Sequence, residues 1–164
     1  MVDTTAFRDA MAMLGGAVSI ITTAGPGGKV GMTASAVCSV TDSPPTVLVC
    51  INRSTWAHAQ FVQNGILCIN ILGAGQQTLS GRFANRTIGM DDRFSTHTWH
   101  ELVTGSPALE EALVSVDCRI VACHEVGSHT VFYGEVRAIS LGENRGALIY
   151  FNRDYYGVQS ARLE

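Results

Sequence analysis

The sequence predicts a mainly β protein in which about six antiparallel strands form a barrel, with two or three short helices. Strand-like runs of β-branched and apolar residues recur along the 164-residue chain, and short connections join several neighbouring runs. Parallel strands would need a crossover of a dozen or more residues, usually a helix, between them. The short connections therefore favour an antiparallel barrel over a doubly wound sheet.

The chain starts with a predicted helix and hairpin. Apolar residues recur at helical spacing over residues 7–14, and a residue in 3–5 can cap the helix start. Residues 17–23 and 30–40 are strand-like and flank a Gly-rich turn. The second of these strands is unusually rich in small residues, and the prolines at 44–45 end it.

The middle of the chain alternates buried strands with helices. Residues 46–52 and 66–72 are almost entirely apolar, which is typical of strands covered on both faces. Ser54 can cap a short helix through residue 63, and residues 75–85 form a second predicted helix. We expect residues 86–106 to be polar and irregular.

The last third is predicted to be mostly strand. A short helix is expected at 109–113. Residues 115–126 alternate most clearly between apolar and polar side chains, so they predict a half-buried strand. Two further strands are expected at 130–141 and 147–152, after an interruption at 127–129. The whole chain, 1–164, is predicted to be one domain, since it contains no repeat or linker.

Composition narrows the function. The chain carries 11 basic and 14 acidic residues and no basic stripe, so we expect no nucleic-acid partner. No apolar run approaches the roughly 20 residues of a membrane helix, and no secretory signal is visible, so a cytoplasmic protein is expected. Only 15% of residues are charged, which suggests surface hidden in a subunit interface. The five cysteines are expected to be small buried thiols.

Common catalytic motifs are absent. No Gly-x-Gly-x-x-Gly follows a strand, and no phosphate-binding Gly-Lys-Ser/Thr occurs. Metal binding by His97 and His100, or by Cys118, Cys123 and His124, is not expected, because their spacings do not suit zinc. Adjacent Ser and His at 128–129 do not make a hydrolytic triad.

Two stretches are not explained by packing alone. The small side chains of residues 31–40 leave the backbone open either to a flat ligand or to another sheet or subunit. The histidine of 127–129 stands at a strand break, where it is either functional or a hydrogen-bonded surface residue.

Several blocks together resemble the short-chain flavin reductases, the reductase components of two-component flavin-dependent monooxygenases. They include TASAVCSVTDSPPTVLVCIN, LCINIL, DDRF, GSHTVFYGEV and LIYFNRDYY, and the likeness covers residues 6–158. The reductases of pyrimidine-ring-opening and 4-hydroxyphenylacetate 3-monooxygenases are the nearest likenesses, and a corrin reductase is similar too.

The resemblance implies an FMN-binding split β-barrel with Greek-key-like connections, usually a homodimer. In such proteins NADH reduces FMN, or FAD as an alternative, and the reduced flavin leaves for a separate oxygenase. NADPH is not excluded as the reductant. The alternatives are a flavin-bound reductase acting on another acceptor such as a corrin, a flavin- or haem-binding module without turnover, and a structural protein.

The resemblance also implies the flavin-contacting residues. One strand is expected to contact the isoalloxazine edge, and residues 50–52 are expected to form a second wall of the site. Hydroxyls at a helix start suit the phosphate. Arg86 is expected to add a cation, and Arg82 is the alternative residue for that role. His129 matches a histidine that positions nicotinamide and flavin. An aromatic pair closes the site, although histidine often stands in place of its second member. The residues expected at the cofactor are Thr33, Ala34, Ser35, Ala36, Val37, Cys50, Ile51, Asn52, Ser54, Thr55, Phe83, Arg86, Tyr155 and Tyr156.

Overall fold

A computed structural model describes residues 1–143 and 146–159. In these residues the chain is mainly β, every strand pairing is antiparallel, and the helices are few and short, which confirms the predicted class. The described helices are α1 (Thr4–Ala12), α2 (His58–Asn64), α3 (Gln77–Ala84) and α4 (Met90–Phe94).

The strands of the described residues form three sheets. Seven strands make the main sheet, three make a small sheet, and two make a separate ribbon. In chain order the strands are β1 (Gly16–Ala17), β2 (Ser19–Thr23), β3 (Val30–Ala34), β4 (Val37–Asp42), β5 (Pro45–Asn52), β6 (Ile66–Ile71), β7 (Trp99–Glu101), β8 (Pro107–Leu109), β9 (Val114–Val126), β10 (His129–Leu141), β11 (Gly146–Phe151) and β12 (Asp154–Gln159).

The main sheet runs in the order β3-β2-β6-β9-β10-β5-β4. Its two edge strands are consecutive in the chain, because β3 ends at Ala34 and β4 begins at Val37. Two residues can join opposite edges only if the sheet curls until these edges meet at 35–36. The described residues contain no ladder between β3 and β4, so the curled sheet is not a closed barrel.

Strand β2, the second strand of the main sheet, separates two cores. All five of its residues are buried. Ile21 belongs to a cluster with Phe61 and Phe132, whereas Ile20 belongs to a second cluster with Leu79 and Phe83. The second cluster also includes residues of β8 and β11, so it joins the main sheet to α3 and the small sheet. The site described below lies along this junction.

Helix α1 lies against the turn between β11 and β12. Asp3 caps α1 by accepting a hydrogen bond from the Ala6 amide at 3.0 Å, as the capping pattern predicts. Asn152 and Arg153 have φ of 48° and 63° and form the two-residue turn between β11 and β12. Arg153 donates to Asp9 at 2.5 Å and therefore ties this turn to α1.

The sequence prediction was wrong over residues 86–113. The segment expected to be irregular contains α4 and β7, and the expected helix at 109–113 is a strand and a turn. β8 pairs with β7, and the Leu109 amide donates to Asn70 of β6 at 2.8 Å. Each of these two strands is only three residues long, and Asn70 is distant in sequence, so no local periodicity reveals them.

Two other boundaries also differ. The expected strand 30–40 is broken at 35–36, and β12 was not foreseen as a strand. Ser54 does not cap a helix, because α2 begins only at His58 and has no side-chain cap. Asn52 accounts for this difference, since its Oδ1 accepts the Ser54 amide at 2.9 Å and forms a turn instead.

Candidate functional site

A cavity of about 340 Å³ lies between β3, α3 and the turn after β5. We call it the Arg86 cavity. It brings together five of the residues predicted from the sequence, which come from four separate segments of the chain. They are Thr33, Ser54, Thr55, Phe83 and Arg86, and the other lining residues are Met32, Trp56, Ala57, Ala84 and Arg93.

The charge of the Arg86 cavity is positive. Two arginines line it and no carboxylate does. Arg86 is exposed, and its side chain has no partner in the described part of the chain. Arg82 instead donates to the Asp92 carbonyl at 3.0 Å and lies outside the cavity lining, so the geometry favours Arg86 over its rival. An anion is the ligand such a cavity fits.

Arg93, which the sequence analysis did not single out, is 4% exposed. Its guanidinium donates to the carbonyls of Gly31 at 3.1 Å, Phe83 at 3.0 Å, Asn85 at 2.7 Å and Ile88 at 3.0 Å. Burial lowers the pKa of Arg93 from its usual value, yet a guanidinium remains charged at neutral pH. The cavity floor therefore carries a buried cation.

The turn at Ser54 and Thr55 contributes hydroxyls rather than free amides. The Thr55 amide and hydroxyl both donate to the Asn52 carbonyl, at 3.1 and 2.8 Å. The Ser54 amide donates to Asn52 Oδ1, whereas the Ser54 hydroxyl has no partner among the described residues. The expected helix-start site is therefore wrong in its physical basis, although both residues reach the cavity.

A second cavity, of about 450 Å³, adjoins the first and shares Thr33 and Ala84 with it. We call it the Tyr155 cavity. Thr33 Oγ1 donates to the Ser80 carbonyl at 2.6 Å, and the Ser80 hydroxyl bonds the Tyr155 hydroxyl at 2.9 Å. Its lining residues are Val18, Thr33, Ala34, Ser35, Ala84, Tyr150, Arg153, Asp154 and Tyr155.

The two tyrosines expected to close the site do not share a surface. Tyr155 packs partly against the second core and forms an edge contact with Tyr150 at 5.2 Å between centroids. Tyr156 follows it in β12, so it points to the opposite face. It is 47% exposed and lies beside Phe151. Of the two predicted tyrosines, Tyr155 lines the Tyr155 cavity and Tyr156 does not.

The predicted second wall, residues 50–52 of β5, lies beside the predicted histidine, His129 of β10. Asn52 pairs directly with His129. Ile51 points the other way, into the first core, so it can offer a ligand only its backbone. The His129 ring is exposed, and its Nδ1 lies 2.9 Å from the Ser128 hydroxyl. His129 lines neither cavity.

The segment between β3 and β4 connects these two regions. The Ala36 carbonyl accepts the Cys50 amide at 3.0 Å, which places residues 35–36 beside the second wall. Val37 turns inward and packs against the first core. Ser35 and Ala36 are exposed, and Ser35 lines the Tyr155 cavity.

The cysteines are not all buried, contrary to the sequence expectation. Cys38 and Cys123 are exposed, because Cys38 is on an edge strand and Cys123 is on the part of β9 that extends beyond β6. Burial raises the pKa of the Cys50 thiol, so this residue is a neutral thiol rather than a nucleophile. All five cysteines are free.

The two remaining histidine candidates line a separate cavity of about 720 Å³ together with Glu110 and Glu111. His97 and His100 lie near Glu111 and Glu110 at 3.9 and 2.9 Å. Over residues 1–143 and 146–159, no group of three or more potential ligands is placed to hold a metal ion. The same residues include no helix with the length and apolar character needed to cross a membrane.

Sequence reasoning missed several lining residues. Arg93 lies in the DDRF block that carries the resemblance, but its burial could not be read from its neighbours. Tyr150 and Arg153 lie in the block LIYFNRDYY. They line the same cavity as Ser35, and this could not be foreseen because β12 was not predicted as a strand. A charged residue between apolar positions of a short helix is the one local signal that could have indicated Arg93.

The fold and the two adjoining cavities define a β protein that can bind a flat aromatic ligand carrying an anionic group. One cavity supplies aromatic and small side chains, and the other supplies hydroxyls and arginines. The chain belongs to the family described as the flavin reductase like domain, which matches residues 11–159.

Individual proteins agree with this membership. FMN reductase (NADH) RutF of Methylorubrum populi is 54% identical over 154 residues, 94% of this chain and 76% of that protein. A candidate flavin reductase from Haemophilus somnus superimposes with a TM-score of 0.92 at 46% identity, covering 96% of this chain and all of that one. The styrene monooxygenase flavin reductase of Pseudomonas putida superimposes with a TM-score of 0.82 at 28% identity, covering 94% of this chain and 98% of that one.

Proposed function

We propose that this chain is an NADH-dependent FMN reductase that supplies reduced flavin to a separate oxygenase. The family membership and the relative named FMN reductase (NADH) support the reaction and both of its substrates. The relative from a styrene monooxygenase system supports delivery to an oxygenase component. The observation that carries the proposal is the pair of adjoining cavities, one cationic and one aromatic, that share Thr33 and Ala84.

The cavities fit FMN by size and chemistry. Each falls within the range of about 300–1,000 Å³ that small-molecule sites occupy. We assign the phosphate to the Arg86 cavity, where the Arg86 guanidinium and the Ser54 hydroxyl can donate to it. Thr55 lines the same cavity, but its hydroxyl already donates to the Asn52 carbonyl. The isoalloxazine ring is assigned to the strip formed by residues 33–36, between Tyr155 and the Cys50 wall. Backbone amides along such a strip stabilise the negative charge that a flavin gains on reduction.

His129 is assigned a positioning role. NADH transfers a hydride to the flavin, and this step needs no general base in the protein. The side chain lies beside Asn52 at the end of the wall, where it can orient the nicotinamide over the ring. Orientation of this kind is worth large rate factors because the two rings must meet at near-attack distance.

The assembly is proposed to be a homodimer in the cytoplasm. α1 has no buried residue, although Phe7 and Met11 are apolar and Leu14, two residues beyond the helix, is exposed beside them. Together with the low charged fraction, this exposed face supports a second copy that covers it.

The test is NADH oxidation by the purified protein with and without added flavin. We expect turnover that depends on free FMN and saturates with it, and weaker turnover with FAD or NADPH. Tightly bound flavin with no turnover on free FMN would contradict the proposal and favour a reductase for another acceptor, such as a corrin. A colourless protein that binds no flavin would contradict it outright.

A further inference from the structure

Arg93 forms an unusual set of bonds for a buried cation. Its four hydrogen-bond acceptors are all backbone carbonyls, and it forms no ion pair within the described residues. Two neighbouring carboxylates on the same short helix, Asp91 and Asp92, are exposed. A buried charge is costly unless it is paired, so retaining one here implies a use for it.

The four carbonyls lie around the segment that carries Arg86. We call residues 85–89, between α3 and α4, the Arg86 corner. Two of the carbonyls, Asn85 and Ile88, belong to the corner itself, and that of Phe83 belongs to the last turn of α3. The fourth, Gly31, belongs to β3, so Arg93 fastens the corner to the main sheet.

The corner is also ordered from within. Asn85 Oδ1 accepts from the Thr87 amide at 2.9 Å and from its hydroxyl at 2.8 Å. The Asn85 carbonyl accepts from the Ile88 amide at 3.3 Å as well as from Arg93. Arg86 therefore projects from a turn whose backbone is held on both sides, while its own side chain stays free.

We propose that Arg93 is a positioning residue for recognition of the flavin phosphate. It holds the Arg86 corner against β3, so that the Arg86 guanidinium stands over the cavity before the ligand arrives. Recognition of the phosphate is then preorganised, which reduces the ordering that binding would otherwise require. This inference rests on the proposed function.

A purely structural Arg93 would behave differently. It would satisfy the terminal carbonyls of α3 and stabilise the fold, with equal consequences for every flavin. Riboflavin separates the two roles, because it carries the same isoalloxazine ring and ribityl chain as FMN but no phosphate. A positioning role for the phosphate changes the preference between FMN and riboflavin, whereas a structural role does not.

The experiment measures kcat and KM for FMN and for riboflavin, with NADH, in four variants. They are Arg93→Lys, Arg86→Ala, the double variant, and Arg82→Lys as the control. Arg82 is a suitable control because it also joins α3 to an α4 carbonyl but lies outside the cavity lining. Circular dichroism establishes that each variant is folded.

We expect Arg93→Lys to lower kcat/KM for FMN about tenfold, the loss expected for a charge-assisted hydrogen bond, and to leave kcat/KM for riboflavin unchanged. The loss should lie in KM for FMN rather than in kcat. In the Arg86→Ala background the same substitution should have no further effect on FMN, because its action passes through Arg86. Arg82→Lys should match the wild type.

Equal losses with both flavins would overturn the inference, as would losses that multiply in the double variant. If Arg93→Lys does not fold, Arg93→Gln is measured in the same way. Failure of both variants to fold would also overturn it, since Arg93 would then belong to the fold. Failure of the proposed function looks different, because the wild type would then reduce neither flavin with NADH.

Discussion

At the scale of single residues, His129 carries the most direct prediction about chemistry. His129 pairs with Asn52 in the β5–β10 ladder. Its ring is exposed, and Nδ1 lies 2.9 Å from the Ser128 hydroxyl. We expect His129→Ala to lower kcat/KM for NADH by roughly tenfold to a hundredfold, because misplacement of the reductant reduces near-attack geometries. His97→Ala, a histidine near Glu111 and outside both cavities, is the control. Unchanged NADH oxidation by the His129 variant would contradict the positioning role.

Gly31 carries a prediction about packing beneath the cavity. A Cβ at this position would lie 2.6 Å from Cε1 of Phe83 and 3.2 Å from Cζ of Phe94. Both rings belong to the second core, so neither can move without displacing its neighbours. We expect Gly31→Ala to destabilise the protein by about 1–3 kcal/mol, as overpacking does in other cores. Thermal and denaturant unfolding measure this change.

Gly81→Ala is the matched control and should act in the opposite direction. Gly81 lies in α3, is exposed, and has no heavy atom within 4 Å of a built Cβ. Alanine at an exposed helical position should therefore raise the free energy of unfolding by about 0.8–1 kcal/mol. A stabilised Gly31→Ala, or a strongly destabilised Gly81→Ala, would contradict this account of α3 and β3.

At the scale of elements, alternation along β12 divides the predicted aromatic pair. The Tyr155 hydroxyl bonds Ser80 of α3 on the cavity side, whereas Tyr156 lies beside Phe151 on the other face. We expect Tyr155→Phe to destabilise the protein by about 1 kcal/mol through loss of this bond, and to weaken flavin binding. Tyr156→Phe serves as the control for stability. Unfolding and fluorescence titration with FMN test both, and equal effects would contradict the division.

The same scale shows how far the sequence could predict this molecule. Elements with strong local patterns, such as α1, β5 and β9, were expected where they occur. The predicted site residues follow from the resemblance, and five of them line one cavity, namely Thr33, Ser54, Thr55, Phe83 and Arg86. β7 and β8 were missed because each is only three residues long, which is too short to show a pattern. Arg93 was missed for a different reason, since its acceptors lie in three different segments.

At the scale of the whole molecule, the amphipathic helix α1 is the feature a single chain leaves incomplete. A nine-residue helix is marginal alone, and most helical stability comes from packing of an apolar face. Here Phe7, Met11 and Leu14 are exposed, although Asp9 fastens the helix to the turn at Arg153. A partner that covers this face would supply the missing packing.

We therefore predict that the protein sediments as a dimer and that Leu14→Glu weakens the dimer. Leu14 is 71% exposed, so a charge there costs the isolated chain nothing in packing but must be desolvated when a second copy covers α1. Val103→Glu, at a loop position that is 68% exposed, is the control and should leave the mass unchanged. Analytical ultracentrifugation measures both. A monomeric wild type would contradict the dimer, whereas a dimeric Leu14→Glu of unchanged affinity would move the interface away from α1. In that case the exposed apolar residues at the end of β10, Ile139 and Leu141, would be the next surface to substitute.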